Sequence, residues 1–248
     1  MAAPHFDFTE NRVLVTGGSN GIGLGIATAF REAGAEVIIT GTRPAASDYD
    51  HDLGGFVYHP LRLTDETGIA ELAASLDRLD VLVNNAGQNL TDRNESDPDV
   101  FAEVVTVNLV ATFRLSTACR PLLAASKLDG GGSVVNLGSM TSFFGLTIVP
   151  AYGAAKGGVV QLTKGLAVAW AGDGIRVNAV APGFIESNMT RPMLGMDALM
   201  RPVLDRTPMR RCGTPADVAP VVLFLAGAGA RFVTGQTLPV DGGYSVQG

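Results

Sequence analysis

Short β-branched runs alternate along this chain with longer helix-like segments. That alternation admits few architectures, chiefly a parallel sheet whose crossover helices cover both faces. Strands are expected near Arg12–Thr16, Glu36–Thr40, Gly55–His59, Asp80–Asn84, Ser133–Leu137, Arg176–Ala181 and Gln236–Val240. Several contain nearly continuous apolar runs (VLV, VIIT, VLV, VVNL), as strands buried on both faces require. Helices are expected near Gly21–Ala33, Asp65–Asp77, Asp99–Ser126, Ala151–Ala171 and Pro215–Ala226, with a short irregular one within Glu186–Leu204. Right-handed crossovers then give a doubly wound, mostly parallel, Rossmann-like α/β/α sandwich. No linker, repeat or low-complexity tract divides the 248 residues, so one domain over 1–248 is expected, with 1–10 as an N-terminal extension.

Composition removes several function classes. A net charge of −6, with only 18 Lys and Arg and no basic stripe, disfavours nucleic acid as a partner. Acidic partner proteins are disfavoured for the same reason. The two cysteines, Cys119 and Cys212, have neither CxxC nor ligand-like spacing, so neither a disulfide framework nor a metal site is expected. Buried thiols in a reducing, cytoplasmic setting fit better. The start, MAAPHFDFTENR, lacks a charged region followed by an apolar run, and no uncharged stretch of transmembrane character stands out, so no membrane partner is expected.

Two segments break the periodic pattern. Thr42–Gly54 carries Pro and several Asp where a crossover helix belongs, so any helix there is weak. Phe184–Arg211 holds five of the 7 methionines, Met189, Met193, Met196, Met200 and Met209, and reads as an adaptable substrate lid.

The first strand runs into Thr16-Gly17-Gly18-Ser19-Asn20-Gly21-Ile22-Gly23 and then a helical pattern. Such a turn lets backbone approach a pyrophosphate, with the helix N-terminus supplying N–H donors. The same residues formally match the G-x-S-x-G elbow of hydrolases. That elbow needs a later histidine, and the three here are His5, His51 and His59, so hydrolysis is set aside. Tyr152-Gly153-Ala154-Ala155-Lys156 places a phenol and an ammonium on one helical face, where the cation favours the phenolate. Ser139 follows the fifth strand, at the sheet edge where open parallel sheets bind ligands, and Asn84-Asn85-Ala86-Gly87 ends the fourth strand there too. Asn108 interrupts an apolar helical stretch, either as a satisfied core amide or as a catalytic group.

Taken together, from about Asn11 to Gly243, the chain resembles the short-chain dehydrogenase/reductase family. The resemblance rests on Thr16-Gly17-x3-Gly21-x-Gly23, Asn84-Asn85-Ala86-Gly87, Asn108, Ser139, Tyr152-x3-Lys156, Pro182-Gly183 and Val240-Asp241-Gly242-Gly243. It implies hydride transfer between a nicotinamide dinucleotide and a secondary alcohol or ketone. In that scheme Tyr152 exchanges the proton, Ser139 orients the reacting oxygen, and Lys156 holds the nicotinamide ribose and lowers the Tyr152 pKa. Asn108 supports a water relay. Gly17, Ser19, Asn20, Gly21, Ile22, Gly23, Asn85, Ala86, Gly87, Pro182, Gly183, Ile185 and Ser187 line the coenzyme, and Arg62 and Leu63 face the adenine in place of the more usual Asp or Asn. A homotetramer, or a homodimer, is implied as well.

Within the family, a reductase of 3-oxoacyl groups on carrier protein is an alternative, disfavoured by the acidic chain and by Asp173 and Gly130 where such reductases tend to carry Arg. A non-catalytic dinucleotide-binding regulator is another; it has no need of Asn108, Ser139, Tyr152 and Lys156 together.

Coenzyme choice is read at the end of the second strand, 18 residues after Gly23. An acid there bonds the adenosine ribose 2′-OH and repels a 2′-phosphate. The chain has Gly41-Thr42-Arg43 instead: Gly41 leaves room, Thr42 offers a hydroxyl, and Arg43 can pair with phosphate. NADP(H) is therefore expected over NAD(H).

Overall fold

A computed structural model of the chain describes residues 6–187, 190–191 and 195–247. Seven strands form one sheet: β1 (Arg12–Val15), β2 (Glu36–Gly41), β3 (Val57–Pro60), β4 (Val81–Asn84), β5 (Gly132–Leu137), β6 (Ile175–Pro182) and β7 (Thr237–Val240). Their order is β3-β2-β1-β4-β5-β6-β7, and every pairing is parallel. All seven expected strands are present, within two residues at each end.

Period-two alternation sorts each strand's side chains between two cores. Val13 and Val15 pack on one face with Ile26, Phe30 and Val222. Leu14 packs on the other with Leu82, Leu115 and Val134. The first face is covered by α1 (Gly21–Glu32) and the C-terminal helix Pro215–Ala226; the second by α2 (Glu66–Ser75), α4 (Ala111–Ala124) and α5 (Pro150–Trp170). Within the expected N-terminal extension, of which residues 6–10 are described, Phe8 is fully buried, with its ring edge-on to Phe30 at 4.8 Å.

The long fourth-crossover helix departs from expectation in the middle. It begins as α3 (Pro98–Val105), widens into a π-turn over Thr106–Val110, and continues as α4. π-Turns of this kind commonly mark functional sites, and Asn108 sits inside this one. The combined helix Pro98–Ala124 has 27 residues and an 18-residue stretch of mean hydropathy 1.3, long and apolar enough to cross a membrane by length and composition, although it carries Glu103 and Arg114. Its Leu115, Cys119 and Leu123 are instead completely buried against the sheet, as in a core helix.

Thr42–Gly54 forms only a 3₁₀ turn at Ala46–Asp48, as its composition suggested. In the methionine-rich segment, α6 (Asp197–Arg206) lies slightly later than expected, and Met189 and Met193 fall outside the described residues. The last helix, Pro215–Ala226, is α7.

Candidate active site

A cavity of about 990 Å³ opens along the C-terminal ends of the strands, at the point where the order reverses between β1 and β4. Ligands of open parallel sheets bind at such a switch point. It is lined by every residue expected at the coenzyme or the reacting oxygen except Asn108 and Arg43.

The Gly-rich turn forms its floor. Gly17 has φ of +64°, a conformation that disfavours a side chain. A Cβ at Gly23 would collide with the Gly17 carbonyl oxygen and Asn85 Nδ2. Asn85 braces this turn, donating from Nδ2 to the Thr16 carbonyl at 2.9 Å while its backbone N–H donates to the Thr16 hydroxyl at 3.0 Å. The N-cap of α1, Asn20, makes no side-chain cap bond. The first N–H groups of α1 therefore remain free to face a phosphate, and the cradle fits a dinucleotide.

At the other end, β4 and β5 are locked together just below the reacting centre. Asn84 Nδ2 donates to Asn136 Oδ1 and Ser116 Oγ, each at 2.9 Å, and Asn136 Nδ2 donates to Thr163 Oγ1 at 2.9 Å. This buried chain fixes α4 and α5 to the strand ends. From α5, Tyr152 and Lys156 project into the cavity, with Lys156 Nζ 5.5 Å from the Tyr152 ring centroid. Ser139 caps the short turn after β5, accepting the Thr141 N–H at 3.2 Å. Ser142 Oγ ties that turn to α5 through the Lys156 carbonyl at 2.8 Å.

The electrostatics differ from expectation. Burial pushes the Tyr152 phenol up to about 12, the adjacent Ser139 hydroxyl opposing this and the Glu95 charge adding to it. Lys156 stands one turn further along α5. Its ammonium donates to the Leu137 carbonyl at 2.7 Å, and burial brings its own pKa down to about 8. Near neutral pH the site thus holds a protonated phenol beside a readily deprotonated ammonium.

Asn108, expected to support a water relay, and Arg43, expected at the coenzyme, stand behind the cavity wall. The Asn108 carboxamide is held by protein: Nδ2 donates to the Gln88 and Val104 carbonyls at 2.7 and 2.9 Å, and Oδ1 accepts the Gln88 N–H at 3.2 Å. It clamps the loop after Gly87, and its backbone carbonyl accepts the Thr112 hydroxyl at 3.0 Å. Arg43 stacks over the Tyr49 ring at 4.8 Å from the centroid. The room expected beside Gly41 is filled, since a Cβ there would collide with the Tyr49 hydroxyl.

Tyr49 and Glu95 escape a reading by motif. Tyr49 accepts the Arg43 N–H at 3.0 Å and lines the cavity beside Ser19 and Thr42. Burial raises its pKa, but hydrogen bonds from Ser19, Tyr58, the Arg43 backbone and Thr42 outweigh that and lower it overall. The only signal in the sequence was an aromatic residue inside an otherwise polar, irregular segment. Glu95 stands in the charged run TDRNESDPD, which looks like a solvated loop.

Comparison with known proteins identifies the family. A family model described as enoyl-(acyl carrier protein) reductase matches residues 17–245. Galactitol 2-dehydrogenase (L-tagatose-forming) of Cereibacter sphaeroides is 41% identical over 94% of each chain. A 3-oxoacyl-[acyl-carrier-protein] reductase of Chlamydia pneumoniae is 38% identical over 94% of this chain and 96% of that one. The crystal structure of a gluconate 5-dehydrogenase from Burkholderia cenocepacia, in complex with NADP and tartrate, superposes with a TM-score of 0.85 at 31% identity over 98% of both chains. The chain belongs to the short-chain dehydrogenase/reductase family and is an NAD(P)-dependent oxidoreductase of alcohols and ketones.

Proposed function

We propose that the enzyme interconverts a small secondary alcohol and its ketone, with NADP(H) preferred, and that Tyr152 exchanges the proton. The observation that carries this is the convergence of Ser139, Tyr152 and Lys156 on one end of the cavity. In reduction, Tyr152 Oη gives its proton to the carbonyl oxygen; in oxidation, the phenolate takes it back. Ser139 Oγ donates a hydrogen bond that orients this oxygen. Lys156 holds the nicotinamide ribose hydroxyls, and Asn108 holds the loop of Gly87 and Gln88 that faces them. The bound nicotinamide supplies or accepts the hydride.

NADP(H) preference is supported by the absence of a carboxylate at Gly41-Thr42-Arg43 and by the hydroxyls of Ser19, Thr42 and Tyr49 at that corner. Donors that already converge on the Tyr49 oxygen suit a 2′-phosphate. The substrate half carries Gln88, Asn89 and Thr147 on its walls, and among the described lining residues Arg62 and Lys156 are the cations. A neutral, hydroxylated substrate fits that wall better than an acyl group on a carrier protein. The segment 184–211 serves as its cover, with Leu199 and Val203 of α6 lining the cavity. A homo-oligomer in the cytoplasm completes the reading, supported by apolar side chains left exposed on the long helices, Phe113 on α4 and Val168 on α5. The test is a panel of neutral polyols, ketoses and simple ketones, followed at the reduced-nicotinamide absorbance band with both coenzymes. Turnover confined to carrier-linked or thioester substrates would overturn the substrate reading, and higher kcat/KM with NAD(H) would overturn the coenzyme reading.

A further inference from the structure

Glu95 is the most deeply buried acid in the described structure, at 1% exposure. Among the described residues it has no ion-pair partner. An ionised carboxylate is tolerated at such depth only when its oxygens are hydrogen-bonded. Oε1 accepts the Leu90 N–H and Oε2 the Tyr152 N–H, each at 2.9 Å. The second bond reaches 57 residues along the chain, to the residue that carries the reacting phenol.

The first turn of α5 explains why it is needed. The N-cap, Val149, has no side-chain acceptor, and Pro150 has no N–H. Gly153 N–H returns to the Val149 carbonyl at 2.9 Å. Tyr152 N–H is thus left without a local partner, at the positive end of a 21-residue helix where a carboxylate is favoured. The loop that supplies the carboxylate also supplies Gln88, Asn89 and Thr91 to the cavity wall. Asn108 clamps one end of that loop through Gln88, and Glu95 clamps the other.

We propose that Glu95 is a positioning residue: its buried carboxylate ties the cavity-wall loop 88–95 to the first turn of α5 and so fixes where Tyr152 meets the substrate. This rests on Tyr152 as the proton-exchanging group. It also gives Glu95 a second effect, because an unpaired negative charge beside Tyr152 disfavours its ionisation and keeps the phenol in the proton-donating form. The groups around the phenol are few. Lys156 faces it from α5, Ser139 from the turn after β5, and Glu95 from the loop after β4. Glu103 of α3 lines the same cavity but is paired to Arg93 at 2.8 Å.

Glu95→Gln keeps the volume but removes the charge, and sets an NH2 against one of the two N–H donors. Glu95→Asp keeps the charge and shortens the reach. In the Gln variant kcat should fall about tenfold through misplacement of the phenol, with KM for the coenzyme little changed. The midpoint of the oxidation pH profile should also move to lower pH by at least about half a pH unit. In the Asp variant kcat should fall while the midpoint stays at the wild-type value. A wild-type midpoint in Glu95→Gln would overturn the proposal, whether kcat is retained or falls together with thermal stability. Should the Gln variant not fold, unchanged kcat or a shifted midpoint in Glu95→Asp would do the same. Failure of the underlying mechanism shows up separately, as retained turnover in Tyr152→Phe.

Discussion

At one end of the cavity, Ser139, Tyr152 and Lys156 stand on a 21-residue helix and a capped turn, over strand ends cross-linked by Asn84 and Asn136. At the other, Gly41 ends β2, Thr42 follows it, and the neighbouring Tyr49 arrives on a segment with only three residues of 3₁₀ helix. Proton exchange demands that donor and acceptor be held to a fraction of an ångström, which regular elements and buried amide bonds provide. Recognition of a ribose substituent tolerates more play, and an irregular segment there can be rebuilt without touching the sheet. The chemistry is therefore built into the scaffold, and coenzyme selectivity is mounted beside it.

The sharpest way to break this contrast is Tyr152→Phe, which removes the proton but keeps the ring. Turnover should drop by at least ~10²-fold while coenzyme still binds, as read by fluorescence titration of the reduced form. Next in size is the pH response of reduction. With Lys156 brought down to about 8, raising the pH through that value discharges the ammonium that holds the ribose. The phenol, pushed up to about 12, stays protonated. Reductive kcat/KM should therefore fall above about pH 8, chiefly through coenzyme KM; a flat profile from pH 7 to about 10 would mean that Lys156 does not act as a cation there.

The adenosine end should respond more mildly and selectively. Gly41→Asp alone pushes a carboxylate into the Tyr49 hydroxyl, so it should weaken both coenzymes. Combined with Tyr49→Ala, it should shift the NADP(H)/NAD(H) ratio of kcat/KM toward NAD(H) by about tenfold or more, with kcat nearly unchanged. Arg43→Ala comes last. Its guanidinium rests on the Tyr49 ring rather than on the cavity wall, so selectivity for NADP(H) should weaken by less than about tenfold. A larger change in kcat than in that ratio, in either case, would erase the distinction between the two ends.

The same contrast governs what could be read from the sequence. Tyr152 and Lys156 were legible because a four-residue spacing on a helix dictates a shared face. The Gly-rich turn was legible because strand, glycines and helix follow in order. Tyr49 was not, because no periodicity says where a side chain in Thr42–Gly54 will point. Glu95 was hidden for another reason: an acid among Asp, Asn and Ser looks hydrated until a helix N-terminus from 57 residues away is seen to take it up. Asn108 was legible as a polar break in an apolar helical stretch, but that break does not tell a π-turn from a regular helix. The direction of the Tyr152 shift depended on burial, which spacing alone does not report.

The strand order has a consequence for how the molecule is made. Residues 12 to 84 supply β1 through β4, which lie side by side as β3-β2-β1-β4, and β5, β6 and β7 are then added one after another at the β4 edge. A chain emerging from the ribosome can thus complete the dinucleotide cradle's strands before any of the reacting residues has been synthesised. The proton-exchanging machinery is laid onto that edge afterwards, by segments that pair only with what is already in place. From β4 onward synthesis and sheet growth run in the same direction, away from the β3 edge, and the sheet ends on β7, a strand of four residues and so a short template for further pairing.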